Sequence, residues 1–316
     1  MAPTSKLPPL VSVVITTRNR LALLPRALES VYAQDYPNLE ILVLDDASED
    51  GTSDYVRSQH PDVRLFRFDV NRGLVAARNF LMREAGGEYI VSLDDDAFFL
   101  TPESISAVVP RMEAEPGLAV AAFRELRRKE DAHLPAEPEH YTNWFSGCGH
   151  CIRKAVLAAA GYYGEYAFRQ GEEADLALRL LDRSYTIAFL PAAVVVHEFS
   201  PRGRDFRLWH TLGPRNLLLR SWVNEPFPWW LLSTGNSIIK CLIKGMRDGT
   251  LPYVLRGFGS AFKALPQVRS MRRPVSSKAM RIYFALRRKR VTDPAQVRQL
   301  YESPPTVLSL LLGRRS

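Results

Sequence analysis

The sequence predicts an α/β fold with a mostly parallel, Rossmann-like sheet and helices on both of its faces. Short apolar runs rich in β-branched residues alternate with segments of helical periodicity through the first hundred residues, and such alternation is typical of βαβ units. Three of these apolar runs end in polar or acidic side chains. Because ligands of open α/β sheets bind at the carboxyl ends of the strands, we expect a ligand at that edge.

The first elements follow from apolar spacing and from turn residues. The run from Leu10 to Ile15 predicts a strand, and apolar residues from Leu21 to Val31 recur at helical spacing. Asn71-Arg72-Gly73 predicts a turn that opens a helix, which Gly86-Gly87 ends. In chain order the sequence predicts strand 10–15, helix 21–31, strand 39–44, a short helix after residue 53, strand 63–68, helix 74–85 and strand 88–91.

The later elements are less regular. They are predicted as helix 102–114, strand 118–123, a loop over 124–143, helices 152–160 and 172–182, and strands 186–190 and 194–196 separated by Pro191. From about residue 203 the chain becomes basic, aromatic and rich in leucine. We therefore predict an α/β domain over residues 8–202 and a mostly helical, basic extension over residues 203–316.

Charge and cysteine content limit the class of protein. The net charge of the 316-residue chain is +8, with −9 in residues 1–201 and +17 in residues 202–316. Three cysteines are too few for a disulfide framework and suit a reducing compartment. The first residues do not resemble a signal peptide, and no apolar run is long enough to span a bilayer. The expected location is therefore cytoplasmic.

An acidic triplet, Asp94-Asp95-Asp96, directly follows the strand that ends near Val91. Charges in a core must be paired or must bind metal. Two carboxylates one residue apart at a strand end can hold a divalent cation, and that cation can hold a diphosphate. Taken alone, the triplet is equally consistent with a solvated acidic turn.

Three further polar sets have chemical potential but weak specificity. Asp45-Asp46 end the second strand, where a carboxylate can accept a hydrogen bond from a nucleobase imide. Three carboxylates follow Gly171, which exceeds what helix capping needs, and one of them could act as a general base. His197 follows a predicted strand and could complete a cation site, although a histidine there is more often structural.

The order of these motifs resembles the family-2 inverting glycosyltransferases, which have a GT-A fold and include rhamnosyltransferase-like bacterial members. The resemblance is carried by SVVITTRN at 12–19, VLDDASEDGT at 43–52, NRGLVAARN at 71–79 and GEYIVSLDDD at 87–96. It continues through residues 161–165 and 171–176 to His197 and covers roughly residues 10–200. The resemblance implies that residues 8–202 bind a nucleotide sugar and catalyse its transfer.

The resemblance also assigns roles to residues. Asp94 and Asp96 occupy the family's D-x-D element and, with His197, would bind a divalent cation, Mn2+ or Mg2+. Donor contacts are expected from Thr16, Thr17, Arg18, Asn19, Asp45, Asp46, Asn71, Gly73, Arg78, Asp94 and Asp95. The acceptor side is expected to include Trp144, Gly147, Cys148, Gly149, His150 and Glu172.

The expected base departs from the family pattern. Where the family usually has a Glu-Asp pair, this chain has Glu172-Glu173, so Glu173 is the expected base and Asp175 the alternative. The resemblance implies transfer of a sugar from a UDP- or dTDP-sugar to a hydroxyl of a glycan or lipid-linked acceptor, with inversion, in cell-envelope polysaccharide assembly. Rhamnose, glucose, galactose and an N-acetylhexosamine all remain open as the sugar.

Two features predict other functions. Cys148 and Cys151 have the C-x-x-C spacing of thiol-disulfide oxidoreductases, and a helix is predicted after them. The basic extension, with its Trp229-Trp230 pair, fits either an anionic membrane surface at the inner face of the cell membrane or a helical appendage with a solvated basic face. Nucleic-acid binding is disfavoured because no recognition motif accompanies the charge.

Overall fold

The structure, a computed structural model, describes residues 7–198, 200 and 205–312. The strands are β1 (Val11–Thr17), β2 (Leu39–Asp46), β3 (Arg64–Phe68), β4 (Tyr89–Asp94), β5 (Ala97–Phe99), β6 (Leu118–Leu126), β7 (His140–Tyr141), β8 (Gly149–Arg153) and β9 (Thr186–His197). All seven residues of β1 are buried, as a segment rich in β-branched residues predicts.

The helices account for most of the remaining chain. They are α1 (Leu24–Tyr32), α2 (Thr52–Gln59), α3 (Leu74–Glu84), α4 (Ser104–Ala114), α5 (Lys154–Ala160), α6 (Glu172–Asp182), α7 (Phe206–Asn224), α8 (Trp229–Arg247), α9 (Leu251–Val268), α10 (Ser277–Arg288), α11 (Pro294–Glu302) and α12 (Val307–Leu312). Short 3-10 turns lie at Lys129–His133 and Arg269–Met271. Among the described helices, none has both the length and the apolar character needed to cross a bilayer.

The sheet has the strand order β3-β2-β1-β4-β8-β6-β9-β5. The expected parallel pairing holds in the first half, where β2 pairs with β3 and β1 pairs with both β2 and β4. In the second half β4 with β8, β6 with β8, and β5 with β9 are antiparallel pairs. The parallel half places the carboxyl ends of β1, β2 and β4 at one edge, so the polar ends of these three strands are neighbours.

Two compact units divide the chain. The first unit contains residues 1–140, 145–162 and 187–203, and the second contains residues 141–144, 163–186 and 204–316. The predicted boundary at residues 202–203 lies outside the described residues. Residues 163–186, expected in the α/β domain, group with the C-terminal helices because α6 packs on α7 and α10. In this second unit Leu178 of α6 belongs to an apolar cluster with Trp229 and Met280.

Three local predictions need correction. The helix predicted over 152–160 begins only at Lys154, because residues 149–153 pair with β4 and β6 as β8. The strands predicted on either side of Pro191 form one continuous β9, since proline is tolerated in a strand where its missing N–H is not needed. The predicted loop over 124–143 contains the end of β6, a 3-10 turn and β7.

Gly149 shows why a small residue begins β8. A Cβ atom added there would lie 2.6 Å from Cγ2 of Val195 on β9. Real Cβ atoms do not approach so closely, so glycine is required for the backbone of β8 to pack against that side chain. The resemblance implied that Gly149 lies on the acceptor side, whereas in the structure the side chain of Val195 occupies the space next to it.

Candidate active site

The centre of the site is the acidic triplet at the end of β4. Asp94 is the last residue of the strand, and Asp95 and Asp96 form the turn into β5. The side chain of Asp94 is 21% exposed, whereas those of Asp95 and Asp96 are almost completely buried. The triplet is therefore not a solvated acidic turn.

Two arginines compensate these carboxylates. Arg20 Nη1 lies 2.7 Å from Asp95 Oδ1 and 2.9 Å from Asp96 Oδ2. Arg78 Nη2 lies 2.5 Å from Asp94 Oδ1, and its side chain is only 3% exposed. Burial nevertheless raises the pKa of Asp95 to about 6, against the opposing effect of Arg20. Arg78, expected near the nucleotide, thus orients a member of the triplet.

His197 brings a fourth polar group to the triplet. It is the last residue of β9 and lies opposite Ala97 of β5. Its Nε2 atom lies 3.3 Å from Asp96 Oδ1 and 4.0 Å from Asp94 Oδ2. Burial lowers the pKa of His197, but the neighbouring Asp96, Cys148 and Glu125 groups outweigh that effect and raise it to about 12.

Glu125, on β6, fixes the orientation of the imidazole. Its Oε1 atom lies 2.9 Å from His197 Nδ1, and its Oε2 atom accepts a hydrogen bond of 2.7 Å from Ser146 Oγ. An ionised carboxylate can only accept, so Nδ1 carries the hydrogen and Nε2 is directed at Asp96. Although burial acts to raise the pKa of Glu125, the hydrogen bonds from His197 and Ser146 hold it below its usual value.

These residues fit a divalent cation. One carboxylate oxygen of Asp94, Sγ of Cys148 and one ring nitrogen of His197 lie within 4.8 Å of one another, and Asp96 lies beside them. Carboxylate oxygens with imidazole suit Mn2+, and carboxylates alone suit Mg2+. A carboxylate on the far nitrogen of a metal-binding histidine is a recurrent supporting contact. The structure thus brings Asp94, Cys148 and His197 close enough to share one cation, and Asp96 as a further ligand stays a prediction.

The cysteines do not form a redox site. Cys148 and Cys151 are free and buried, and Cys151 lies within β8 rather than at the start of a helix. Burial raises the pKa of Cys148 to about 12 and also raises that of Cys151. Buried, protonated thiols are poor nucleophiles, so the structure favours a glycosyltransferase over an oxidoreductase.

The predicted donor residues at the end of β1 lie beside the triplet. Thr16 and Thr17 are buried, Arg18 and Asn19 are exposed, and Thr16 is in register with Asp94 of β4. Oγ1 of Thr17 is buried and has no hydrogen-bond partner within the described residues. Asn19, with φ of 53°, connects this strand end to the next loop through Ser48 and Glu49.

The two aspartates at the end of β2 hold loops. Asp45 is fully buried and accepts hydrogen bonds from Ser48 N at 2.8 Å, from Ser53 and from Arg67. Asp46 accepts hydrogen bonds of 2.7 Å from Arg72 N and 2.9 Å from Gly73 N. These contacts position the loop before α3, and the contact of either carboxylate with a nucleobase stays a prediction.

Asn71 and Gly73 shape that same loop. Gly73 has φ of 86°, in the region that favours glycine, and its N–H is also 3.1 Å from Asn71 Oδ1. The backbone N–H groups of residues 72 and 73 are thereby directed at Asp46. Asn71 and Gly73, which were predicted to contact the donor, therefore determine the geometry of this loop in the structure.

Most residues predicted on the acceptor side are inaccessible. Gly147, Cys148, Gly149 and His150 are buried, whereas Trp144, in the second unit, is 52% exposed. The ring of His150 packs against Phe145, its Nδ1 lies 2.8 Å from the carbonyl oxygen of Ser146, and burial lowers its pKa to about 3. A fully buried ring presents no surface to a sugar, so the prediction for His150 is replaced by a packing role.

The carboxylates of α6 differ in accessibility. Glu172 and Asp175 are buried, whereas Glu173 is partly exposed. Asp175 accepts a hydrogen bond of 2.9 Å from Tyr166 and is also bonded to Asn224 and Arg179. Three donors saturate that carboxylate, so Glu173 is the better candidate for a base within the second unit.

Sequence reasoning missed two residues, Arg20 and Glu125. The arginine follows the first motif, but nothing in its spacing indicated a contact 75 residues away. The glutamate lies between arginines in a segment predicted to be a loop. A prediction that β6 continued to residue 126 would have placed it at the same edge of the sheet.

Comparisons with known proteins indicate the class of the protein. Residues 12–165 match the model of Glycosyl transferase family 2. This segment is a family 2 glycosyltransferase domain. The putative colanic acid biosynthesis glycosyl transferase WcaA of Escherichia coli is 39% identical over 101 residues, which are 31% of this chain and 36% of that protein. The GalNAc(5)-diNAcBac-PP-undecaprenol beta-1,3-glucosyltransferase of Campylobacter jejuni is 36% identical over 92 residues, 28% of this chain and 30% of that protein.

The fold has a solved counterpart. The mannosyltransferase PcManGT of Pyrobaculum calidifontis, in complex with GDP-Man and Mn2+, covers 84% of both chains with a TM-score of 0.56 and 23% identity. The likeness confirms the GT-A fold, including a helical C-terminal part. The two sequence relatives match over about a third of their own length, and none of the three names mentions rhamnose, so that subtype stays a prediction.

Replacing Glu125 with alanine tests how the histidine is held. We expect Mn2+ affinity to fall about 10- to 100-fold, because the support of the imidazole is lost. Glu125→Gln keeps an acceptor for Nδ1 and should recover part of that loss. The measurement is Mn2+ titration followed by electron paramagnetic resonance, with the exposed Glu130→Ala as the control. Equal affinity in wild type and Glu125→Ala would contradict this role.

Proposed function

We propose that the protein transfers a sugar from a nucleoside diphosphate donor to a hydroxyl of a glycan or lipid-linked acceptor, with inversion at the anomeric carbon. The observation that carries the proposal is the convergence of Asp94, Asp96 and His197 at the end of β4, with Glu125 behind the imidazole. The setting we propose is assembly of a cell-envelope polysaccharide, a role in keeping with the names of the two relatives.

The triplet and its neighbours would bind the donor through a cation and through direct contacts. A divalent cation, when bound, offsets the negative charge that develops on the departing diphosphate. Asp94, Asp96 and Nε2 of His197 would hold it, and Arg20 keeps the Asp96 carboxylate oriented from its other oxygen. The unpartnered Oγ1 of Thr17 supports a donor contact at the end of β1. UDP and dTDP are the expected nucleotides.

Glu173 is the proposed general base. As the acceptor oxygen attacks the anomeric carbon, the bond from that carbon to the diphosphate oxygen breaks, and the hydroxyl proton passes to the Glu173 carboxylate. A single displacement of this kind inverts the anomeric configuration. Glutamate in place of the family's usual aspartate has one more methylene and therefore a longer reach.

A thermal-shift panel tests donor binding. Nucleoside diphosphates of uracil, thymine and guanine, and their sugars, should raise the melting temperature only when Mn2+ is present, because ligands that bind the folded state stabilise it. About 2.7 kcal/mol of stabilisation is expected at a ligand concentration a hundred times Kd. Asp96→Asn is the comparison variant and should lose the Mn2+-dependent part. No shift with any nucleotide would contradict the proposal.

Glu173→Gln separates chemistry from binding. The amide keeps the shape of the side chain but cannot take a proton, so sugar transfer should fall by about 100-fold or more. Nucleotide-dependent thermal shifts should be unchanged, and the exposed Glu165→Gln is the matched control. Full activity of Glu173→Gln would assign the base to another residue.

We also propose that α8 contacts an anionic membrane surface. Leu232, Ile239, Ile243 and Met246 are each more than half exposed and recur at helical spacing, so they form one apolar stripe. Lys240, Lys244 and Arg247 on the same helix are exposed. An exposed apolar stripe flanked by basic residues is typical of helices that lie in a membrane interface.

Vesicle binding tests this surface in the full-length chain. Vesicles of phosphatidylglycerol should bind the protein, whereas those of phosphatidylcholine should bind it weakly, because the basic charge requires an anionic surface. Ile239→Gln with Ile243→Gln should reduce binding about tenfold or more, since less apolar area is buried. Val70→Gln with Leu134→Gln, two exposed apolar residues of the first unit, is the control. If both double variants bind the vesicles equally well, the proposal that α8 contacts the membrane is wrong.

A further inference from the structure

The second unit contains a cavity of about 360 Å³ that is lined by none of the residues assigned to the donor, the cation or the general base. Its walls come from Trp144, from α7, from α8 and from α10, all within residues assigned to that unit. A volume in this range is typical of small-molecule sites. The cavity is therefore large enough to hold a ligand group.

The charge of the walls selects an anion. Arg220, Lys240 and Arg287 line the cavity, and none of its lining side chains in the described part of the chain is a carboxylate. Lys240 and Arg287 form no ion pair among the described residues, whereas Arg220 lies 3.5 Å from Glu225. Three cations with one nearby carboxylate leave a net positive charge that attracts phosphate groups.

Hydrogen-bond donors add to this preference. Nε of Arg220 is buried and has no hydrogen-bond partner within the residues that the structure describes. Asn236, Ser237 and Tyr283 also line the cavity and can donate through their side chains. An array of guanidinium, ammonium, amide and hydroxyl donors matches the many acceptor oxygens of a diphosphate.

The cavity adjoins the apolar stripe of α8, which indicates that the anion is the head of a lipid. Asn236 and Lys240, one turn apart, line the cavity, while Ile239 and Ile243 on the adjoining face belong to the exposed apolar stripe. A molecule with an anionic head and a long apolar tail would satisfy both faces of the helix. Trp144, which is 52% exposed, adds an aromatic face on which a sugar can stack.

We propose that this cavity binds the diphosphate of a lipid-linked acceptor, whose hydrocarbon chain lies along the apolar stripe of α8. The inference deepens the proposed function by naming the acceptor class, and it rests on that function. A soluble diphosphate and the headgroup of an ordinary phospholipid have related chemistry, so the experiment must distinguish these sources.

The test measures binding of three probes to the full-length chain by isothermal titration calorimetry: farnesyl diphosphate, farnesol and inorganic pyrophosphate. The buffer contains EDTA, so that the cation-dependent site at β4 does not contribute. Farnesyl diphosphate should bind more tightly than either of the other probes, because only it supplies both the anion and the apolar chain.

Two double variants identify the site. Lys240→Gln with Arg287→Gln should weaken farnesyl diphosphate binding roughly 100-fold, about tenfold for each lost charged contact. Lys263→Gln with Arg298→Gln removes the same charge from exposed positions outside the cavity and should leave Kd within about twofold of wild type. Thermal denaturation of both variants establishes that they are folded.

Several outcomes would overturn the inference. Equal binding of pyrophosphate and farnesyl diphosphate would indicate a soluble anion. Equal competition by glycerol phosphate, a soluble phospholipid headgroup without acyl chains, would indicate a general headgroup site. Unchanged binding in the Lys240/Arg287 variant would place the ligand elsewhere. Mn2+-dependent nucleotide binding is measured on the same samples and tests the proposed transfer function separately. If the wild type binds farnesyl diphosphate but no nucleotide in the presence of Mn2+, the proposed function is refuted and the anion site is not.

Discussion

The site depends on the compensation of three consecutive carboxylates at the end of one buried strand. Leaving such charges unpaired in a low-dielectric environment costs several kcal/mol for each ion. Arg78 from α3 contacts Asp94, Arg20 from the end of β1 contacts Asp95 and Asp96, and His197 from β9 lies beside Asp96. The three carboxylates can therefore be buried only when these elements are assembled around β4.

The antiparallel half of the sheet supplies the groups that distinguish this site from an acidic turn. β9 carries His197, and its pairing with β5 places the histidine opposite Ala97, one residue beyond the triplet. β6 continues past its predicted end to Leu126 and so carries Glu125 to the imidazole. The proposed cation ligand His197 and its supporting carboxylate Glu125 thus come from strands about 70 residues apart in sequence.

The parallel strands and the triplet were predictable because their signals are local. A segment rich in β-branched residues, such as Val11–Thr17, predicts a buried strand. The order of the motifs predicted that Asp94, Asp96 and His197 lie together, as they do in the structure. Roles that depend on long-range contacts were not predictable. Arg78 and Asp46 were predicted to contact the ligand. In the structure Arg78 contacts Asp94, and Asp46 accepts a hydrogen bond from the backbone of Gly73. The burial of His150 depends on pairing between β8 and its neighbours, which its own sequence does not reveal.

The central claim is that Asp94, Asp96 and His197 hold a divalent cation against a nucleoside diphosphate. The most direct measurement is anomalous scattering at the manganese absorption edge, from crystals grown with Mn2+ and a nucleoside diphosphate. We expect one strong peak at about 2.0–2.3 Å from an Asp96 carboxylate oxygen and from Nε2 of His197, as for ligands of such a metal. A well-bound nucleotide with its manganese peak away from all three residues would contradict this cation site.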